Sequence, residues 1–122
     1  MKTVLALMLL LLPTACHSQD DETARQLTGG EPGRGRAAIR RYGCGSCHEV
    51  PGIEGARGLV GPPLTNIADR LYLAGQLPNT PENMRRWISD PQGVEKGTAM
   101  PDMNVTAGDA RDIAAYLYTL RR

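Results

Sequence analysis

The residues of this 122-residue chain that could do chemistry gather at Cys44-Gly45-Ser46-Cys47-His48, where two thiols and an imidazole fall close together. Two thiols at this spacing can each add to one of the two vinyl groups of a porphyrin. The histidine beside the second thiol is then held against one face of the ring, within reach of the iron. C-x-x-C-H therefore reads as the attachment site of a c-type haem. The same thiol spacing also serves a redox dithiol or half of a zinc site. Zinc normally takes four Cys or His ligands, and the other Cys and His of the chain, Cys16 and His17, stand near the N-terminus. A thioredoxin-like dithiol sits in a βαβ context, whereas the flanks of this motif show helical periodicity and no strand pattern.

The composition bears on the same question. The length allows one domain. Hydrophobic residues make up 41%, but there is no phenylalanine, aromatics reach only 4%, and Gly 14 and Pro 9 are high for a small helical protein. Such a chain makes a thin core by itself, since small domains bury a modest fraction of their surface. A large buried cofactor would fill it. The net charge of +1 falls to about zero without Lys2, which gives no electrostatic argument for nucleic acid.

Residues 4–12 form an uninterrupted apolar run behind Lys2. This is shorter than the roughly 20 residues that span a bilayer, and it fits the apolar region of a secretory leader. Pro13-Thr14-Ala15-Cys16 follows, with a small residue directly before the cysteine, as in the lipobox of bacterial lipoproteins. Pro13 departs from the aliphatic residue usual at its position. Residues 1–15 are thus expected to be a signal peptide and Cys16 the lipidated N-terminus, with ordinary leader cleavage as the alternative. A lipidated head would be tethered outside the cytoplasm, on the periplasmic side, where bacterial c-type haem is attached. Residues 16–32 carry Ser18, Asp20, Asp21, Glu22, Gly29 and Gly30 without apolar periodicity, and read as a flexible linker. His17 reads as an ordinary linker residue.

The elements that must position the motif follow from residue 33. Ala38, Ile39 and Tyr42 share one side of a short helix that delivers the chain to Cys44. A glycine-rich loop over residues 49–61 closes at Pro62-Pro63-Leu64. Leu64, Ile67, Ala68 and Leu71 predict a helix over residues 65–73, with Gly75 as its stop. Thr80 and Pro81 begin a helix with Met84, Trp87 and Ile88 on its apolar face, ended by Asp90-Pro91. Thr106 caps the last helix, Asp109 completes a capping box, and Ile113, Tyr116, Leu117 and Leu120 form its stripe. Arg121 and Arg122 suit its negative pole. Arg36, Arg40 and Arg41 form either a docking surface or a solvated face. No segment alternates like a strand, so the expectation is an all-α domain over residues 33–122 with about four short helices.

In this order the features resemble class I cytochromes c, over about residues 35–120. The resemblance rests on Gly35 and Ile39 before Cys44-Gly45-Ser46-Cys47-His48, then Gly61-Pro62-x-Leu64, Trp87-Ile88-x-x-Pro91, Gly97-Thr98-Ala99-Met100, and Ile113-x-x-Tyr116-Leu117. It implies a cytochrome c fold wrapped around one covalent haem c, with His48 and Met100 on opposite faces of the iron. Met103 is the competitor for the second position. It implies as well that the Pro62 carbonyl accepts a hydrogen bond from the other ring nitrogen of His48, that Trp87 lies in the haem pocket or simply fills core, and that Gly35 lets the first and last helices cross closely.

A Met/His pair raises the haem potential and fills both axial positions, which suits electron transfer. No general-base cluster, nucleophile elbow or phosphate loop is found in the rest of the sequence. The expected function is that of a monomeric respiratory electron carrier, not an enzyme. The resemblance suggests a donor like quinol:cytochrome c reductase and an acceptor like a terminal oxidase. Two alternatives are a haem subunit through which electrons enter an oxidase or dehydrogenase complex, and a ligand-binding or sensing haem protein.

Overall fold

A computed structural model describes residues 16–122, and side chains from Gln19 onward. Residues 1–15, where a signal peptide is expected, and the side chain of Cys16 lie outside the described residues. Five α-helices follow in chain order: α1 (Cys16–Thr28), α2 (Pro32–Arg41), α3 (Pro81–Ser89), α4 (Pro91–Val94) and α5 (Ala107–Thr119). Single 3-10 turns lie at Cys44–Ser46 and Ile67–Asp69, and a hairpin pairs β1 (Tyr72–Leu73) with β2 (Leu77–Pro78). The fold is all-α with one minimal hairpin. Among the described residues no helix is long and apolar enough to cross a membrane.

The centre of the fold is the crossing of α2 and α5. Gly35 makes it possible: a Cβ at this position would overlap the backbone carbonyl of Asp112. With the backbones this close, Ala38 and Ile39 of α2 join Ile113, Ala114 and Leu117 of α5 in one buried cluster. Asp112, only 6% exposed, sits at the same crossing. One of its carboxylate oxygens accepts from the Glu31 backbone N–H at 2.8 Å, capping α2 from a neighbouring helix. Arg34 Nε donates to the other at 2.7 Å. Burial works against the charge, but the Arg34 guanidinium and the Glu31 N–H outweigh it and hold the carboxyl below its ordinary range.

Helix ends are fixed by their side chains. Thr80 Oγ1 accepts from Asn83 N at the start of α3, and Pro81 occupies its first position. Asp90 ends α3 and at once caps α4, its carboxylate accepting from Gly93 N at 2.8 Å. Thr106 Oγ1 accepts from Asp109 N at the start of α5. The reciprocal half of the expected capping box is not made. The Asp109 carboxylate turns instead to Tyr42, whose hydroxyl donates at 2.6 Å, and to Arg41 at 2.9 Å. At the other end of α5, Arg121 donates to the Tyr118 carbonyl.

Three expectations are corrected. The linker reading of residues 16–32 fails: Cys16–Thr28 is helix α1, packed on α5. Its buried surface is made by Ala24 and Thr28, small residues that leave no apolar stripe to read. The helix expected over residues 65–73 is a single 3-10 turn. Asn66 adopts a left-handed φ of 54°, Arg70 is extended, and Asn79 Nδ2 donates to the Ile67 and Arg70 carbonyls that a continuing helix would have used. Leu71, expected on the apolar face, is 81% exposed. Gly75 therefore stops no helix. With Ala74 it forms the positive-φ turn of the hairpin, whose two-residue strands are too short to show alternation. Tyr118 of α5 donates to Asn79 Oδ1 at 2.8 Å, and burial pushes its phenol up to about 12, so it remains a donor at neutral pH.

Asp112→Asn breaks the charge-assisted contacts at the crossing, and should lower stability at neutral pH by about 2 kcal/mol. Because the folded carboxyl titrates below its ordinary 3.8, this contribution is complete above that value. It is lost as pH falls through the lowered folded value. Urea unfolding from pH 7 down into the acid range checks this: the gap between wild type and variant should be widest at pH 7 and should narrow progressively as the pH falls below 3.8.

Candidate functional site

The thiol segment enters the site through a tight turn. Gly43 takes a φ of 72°, a conformation open to glycine at little cost, and the 3-10 turn Cys44–Ser46 follows. Cys47 N and His48 N both donate to the Cys44 carbonyl, at 3.2 and 3.0 Å, which winds both thiols and the imidazole toward one side. Gly61 N donates to the Cys47 carbonyl at 2.8 Å and pins the returning loop against the motif. Cys44, Cys47 and His48 all line one cavity of about 460 Å³. That volume lies within the roughly 300–1,000 Å³ typical of cofactor and ligand sites.

The cavity is walled by elements far apart in sequence. Ile39 comes from α2, Met84, Trp87 and Ile88 from α3, and Ile113 and Leu117 from α5. Met84 and Ile88 are buried, whereas Trp87 is half-buried with its ring on the wall. The loop after α4 contributes Met100 and Met103. Met100 is half-buried and Met103 is 42% exposed, so Met100 is the more deeply seated of the two.

His48 is held in one tautomer. Its Nδ1 lies 2.7 Å from the Pro62 carbonyl, which can only accept, so the proton is on Nδ1 and the lone pair is on Nε2. A ligating histidine is commonly oriented by such a partner. Gly61 has no side chain because one would fall on the His48 ring. Gly61 and Pro62, read from the sequence as a pair, thus act together: one makes room for the imidazole and the other aims it.

Several residues of the site left no signal in the sequence. Gln92, on α4, donates its amide to the Thr98 and Met100 carbonyls at 2.8 and 2.9 Å and accepts from Gly97 N at 3.1 Å. One side chain therefore shapes the whole Gly97-Thr98-Ala99-Met100 loop. Arg70 is the one cation among the cavity-lining residues, and its guanidinium donates to the Pro63 and Thr65 carbonyls, bracing the loop that carries Pro62. Polar residues in short connections give no periodicity, and their partners are known only once the chain has folded. The arginines of α2 divide in role. Arg36 donates to the Gly52 carbonyl and Arg41 pairs with Asp109, while Arg40 is exposed.

The donor set fits a haem attached through both thiols. Cys44 and Cys47 are free of disulfides, and burial pushes the Cys44 thiol up, opposite to the lowered value of a reactive redox thiolate. Among the described residues, no group of three or more His, Cys, Asp and Glu side chains is placed to hold a metal ion by itself. Apolar walls, two thiols, an imidazole with a free Nε2 and a thioether are what an iron porphyrin would need.

Residues 33–121 match the family model described as Cytochrome c. The chain is similar to two curated proteins named cytochrome c oxidase subunit 2. One, from Alkalihalophilus pseudofirmus, is 36% identical over 89 residues, covering 72% of this chain and 25% of that protein. The other, from Bacillus sp. strain PS3, is 30% identical over 88 residues, covering 69% of this chain and 25% of that protein. The chain thus spans about a quarter of the length of the curated relatives it matches.

Gly61→Ala should push the imidazole off the Pro62 carbonyl. Nitrogen-edited NMR of histidine-labelled protein reads this directly: the slowly exchanging Nδ1–H of His48 is expected in wild type and its exchange should accelerate at least about ten-fold in the variant. An equally protected proton in both would mean that Gly61 does not set the ring position.

Proposed function

Because the chain belongs to the cytochrome c family, we propose that it carries one covalently attached haem c and serves as an electron-transfer domain whose iron cycles between Fe(II) and Fe(III) in a respiratory chain. Cys44 and Cys47 would hold it through thioethers, and His48 and Met100 would ligate its iron. The observation that carries this reading is that both thiols, the free Nε2 of His48 and the Met100 loop all meet at one apolar cavity. The single C-x-x-C-H in the sequence supports one haem per chain. The chemistry such a haem would supply when held by these residues is one-electron transfer, with no open site for oxygen or peroxide.

The chain's own residues supply the rest. Pro62 keeps His48 in one tautomer and orientation. Gln92 holds the Met100 loop in shape, so neither ligand has to be reorganised when the iron changes charge. The apolar walls, Trp87 among them, keep water from the ring, which with the methionine favours the reduced state. Arg70 offers a cation to the carboxylate side arms of the porphyrin. In this reading the domain itself is a carrier and catalyses no reaction.

The leader-like residues 1–15 and Ala15-Cys16 support export and lipidation at Cys16, with the head on the periplasmic side. A bacterial lipoprotein cysteine bears more than one acyl chain, and two chains anchor stably where one is marginal. A quinol:cytochrome c reductase-like donor and a terminal oxidase-like acceptor fit such a head.

A second reading is favoured by a specific observation. The relatives are named as oxidase subunits. In that reading the domain is the fixed haem through which electrons enter an oxidase complex. Purification at high salt separates the two, since a stoichiometric oxidase partner should stay bound only in the second.

The ligation is tested by spectroscopy of the oxidised protein. Wild type should show the far-red methionine-to-iron charge-transfer band and bind carbon monoxide poorly when reduced. Met100→Ala should lose the band and bind carbon monoxide, while Met103→Ala should keep the wild-type behaviour. A wild-type protein without the band that binds carbon monoxide readily would replace the carrier reading with that of a ligand-binding haem protein.

A further inference from the structure

The segment ahead of the family domain is not accounted for by electron transfer. Helix α1 lies outside residues 33–121, the part that matches the family, yet it is built into the fold. Ala24 is 0% exposed and Thr28 is 6% exposed. Gly30 approaches α5 so closely that a Cβ would overlap the Arg111 carbonyl and crowd Ala115 Cβ at 3.1 Å.

The joint between α1 and α2 is tied at every residue. Gly29 N donates to the Arg25 carbonyl at 2.8 Å, Gly30 N to Thr28 Oγ1 at 3.1 Å, and Glu31 N to the Asp112 carboxylate at 2.8 Å. The Arg25 guanidinium closes the turn with two 2.8 Å bonds to the Glu31 carboxylate. No free hinge remains between α1 and the rest of the molecule.

Resting on the lipidation of Cys16 proposed above, we infer that α1 is a stalk that holds the haem domain at a fixed height and orientation over a lipid bilayer, not a tether on which the domain roams. A coil over residues 16–32 would span about 20–24 Å on average and sweep freely. As a helix, the eight steps from Cys16 to Ala24 set a fixed offset of about 12 Å. Orientation is set by the same contact. Ala115 of α5 faces Gly30, while Ile113 and Leu117 of the same helix line the haem cavity. A single rigid helix therefore carries the stalk on one side and the cofactor on another, and fixing one fixes the other relative to the membrane.

This arrangement can be switched off. A 13-residue helix is marginal alone in water, so the stiffness of α1 comes from its seat on α5. Ala24→Gln, a long polar side chain in place of a fully buried methyl, should unseat it without touching the cavity.

The experiment uses the full-length haem-loaded protein in phosphatidylcholine vesicles, with intact mass confirming the lipid on Cys16. Limited trypsin digestion reads the Arg25–Gln26 bond, and neutron reflectometry on a supported bilayer of the same lipid reads the height and spread of the protein layer. Wild type should resist cleavage after Arg25 and give a thin, well-defined layer. Ala24→Gln should be cut at least ten-fold faster and give a broader layer, with an unchanged haem spectrum. Should that variant fail to fold, amide exchange of wild-type α1 decides: protection of residues 24–28 comparable to that of α5 supports the stalk, and exchange at the rate of an open coil overturns it. Rapid cleavage after Arg25 in lipidated wild type, or equal layers for the two proteins, would overturn the stalk and leave the anchor standing. A mass without lipid would overturn the anchor and the stalk together.

Discussion

The structure depends on how closely α2 and α5 approach at Gly35. The missing side chain lets the two backbones touch at the Asp112 carbonyl, and everything packed around that point follows from the distance. Asp112 is brought near enough to cap α2 and to hold Arg34. Ile39, Ile113 and Leu117 are brought to one wall of the cavity. The far side of α5 is left to receive α1 at Gly30. Two glycines, each replacing a side chain with the backbone of α5, thus set the spacing of three helices.

A second constraint works at the site. The imidazole of His48 is confined between Gly61, which leaves it space, and the Pro62 carbonyl, which fixes its proton on Nδ1. At the same cavity, the Met100 loop has no regular secondary structure of its own and takes its shape from the Gln92 amide. Rigid support of both suits electron transfer, where little should move when charge changes. In a chain without phenylalanine, the apolar wall of this cavity draws on Met, Ile, Leu, Val, Tyr and a single Trp.

How much of this was legible in the sequence depended on the kind of signal. The C-x-x-C-H spacing and the caps at Thr80 and Thr106 are local chemistry, and the helices they announce are there. Gly35 was legible through the family resemblance, since its packing partner lies far along the chain. The stretch around Ile67 misled because Leu64, Ile67, Ala68 and Leu71 keep a helical spacing, while Asn79, a dozen residues beyond Ile67, takes the carbonyls that would have continued the helix. Helix α1 resembles a linker in sequence because it buries small residues, and a surface of Ala24 and Thr28 has no hydrophobic period. Gln92 and Arg70 were missed for a related reason: each acts on backbone carbonyls of loops, and sequence alone does not show which loop will lie beside them.

In the function proposed above, one iron is held between His48 and Met100. Proton NMR of the reduced protein with methyl-labelled methionine tests it most directly, because a methionine on the iron lies over the porphyrin and its methyl resonance moves far upfield. One such resonance is expected, assigned to Met100, with Met84 and Met103 at shifts normal for packed side chains. An upfield resonance assigned to Met103, or none at all, would contradict it.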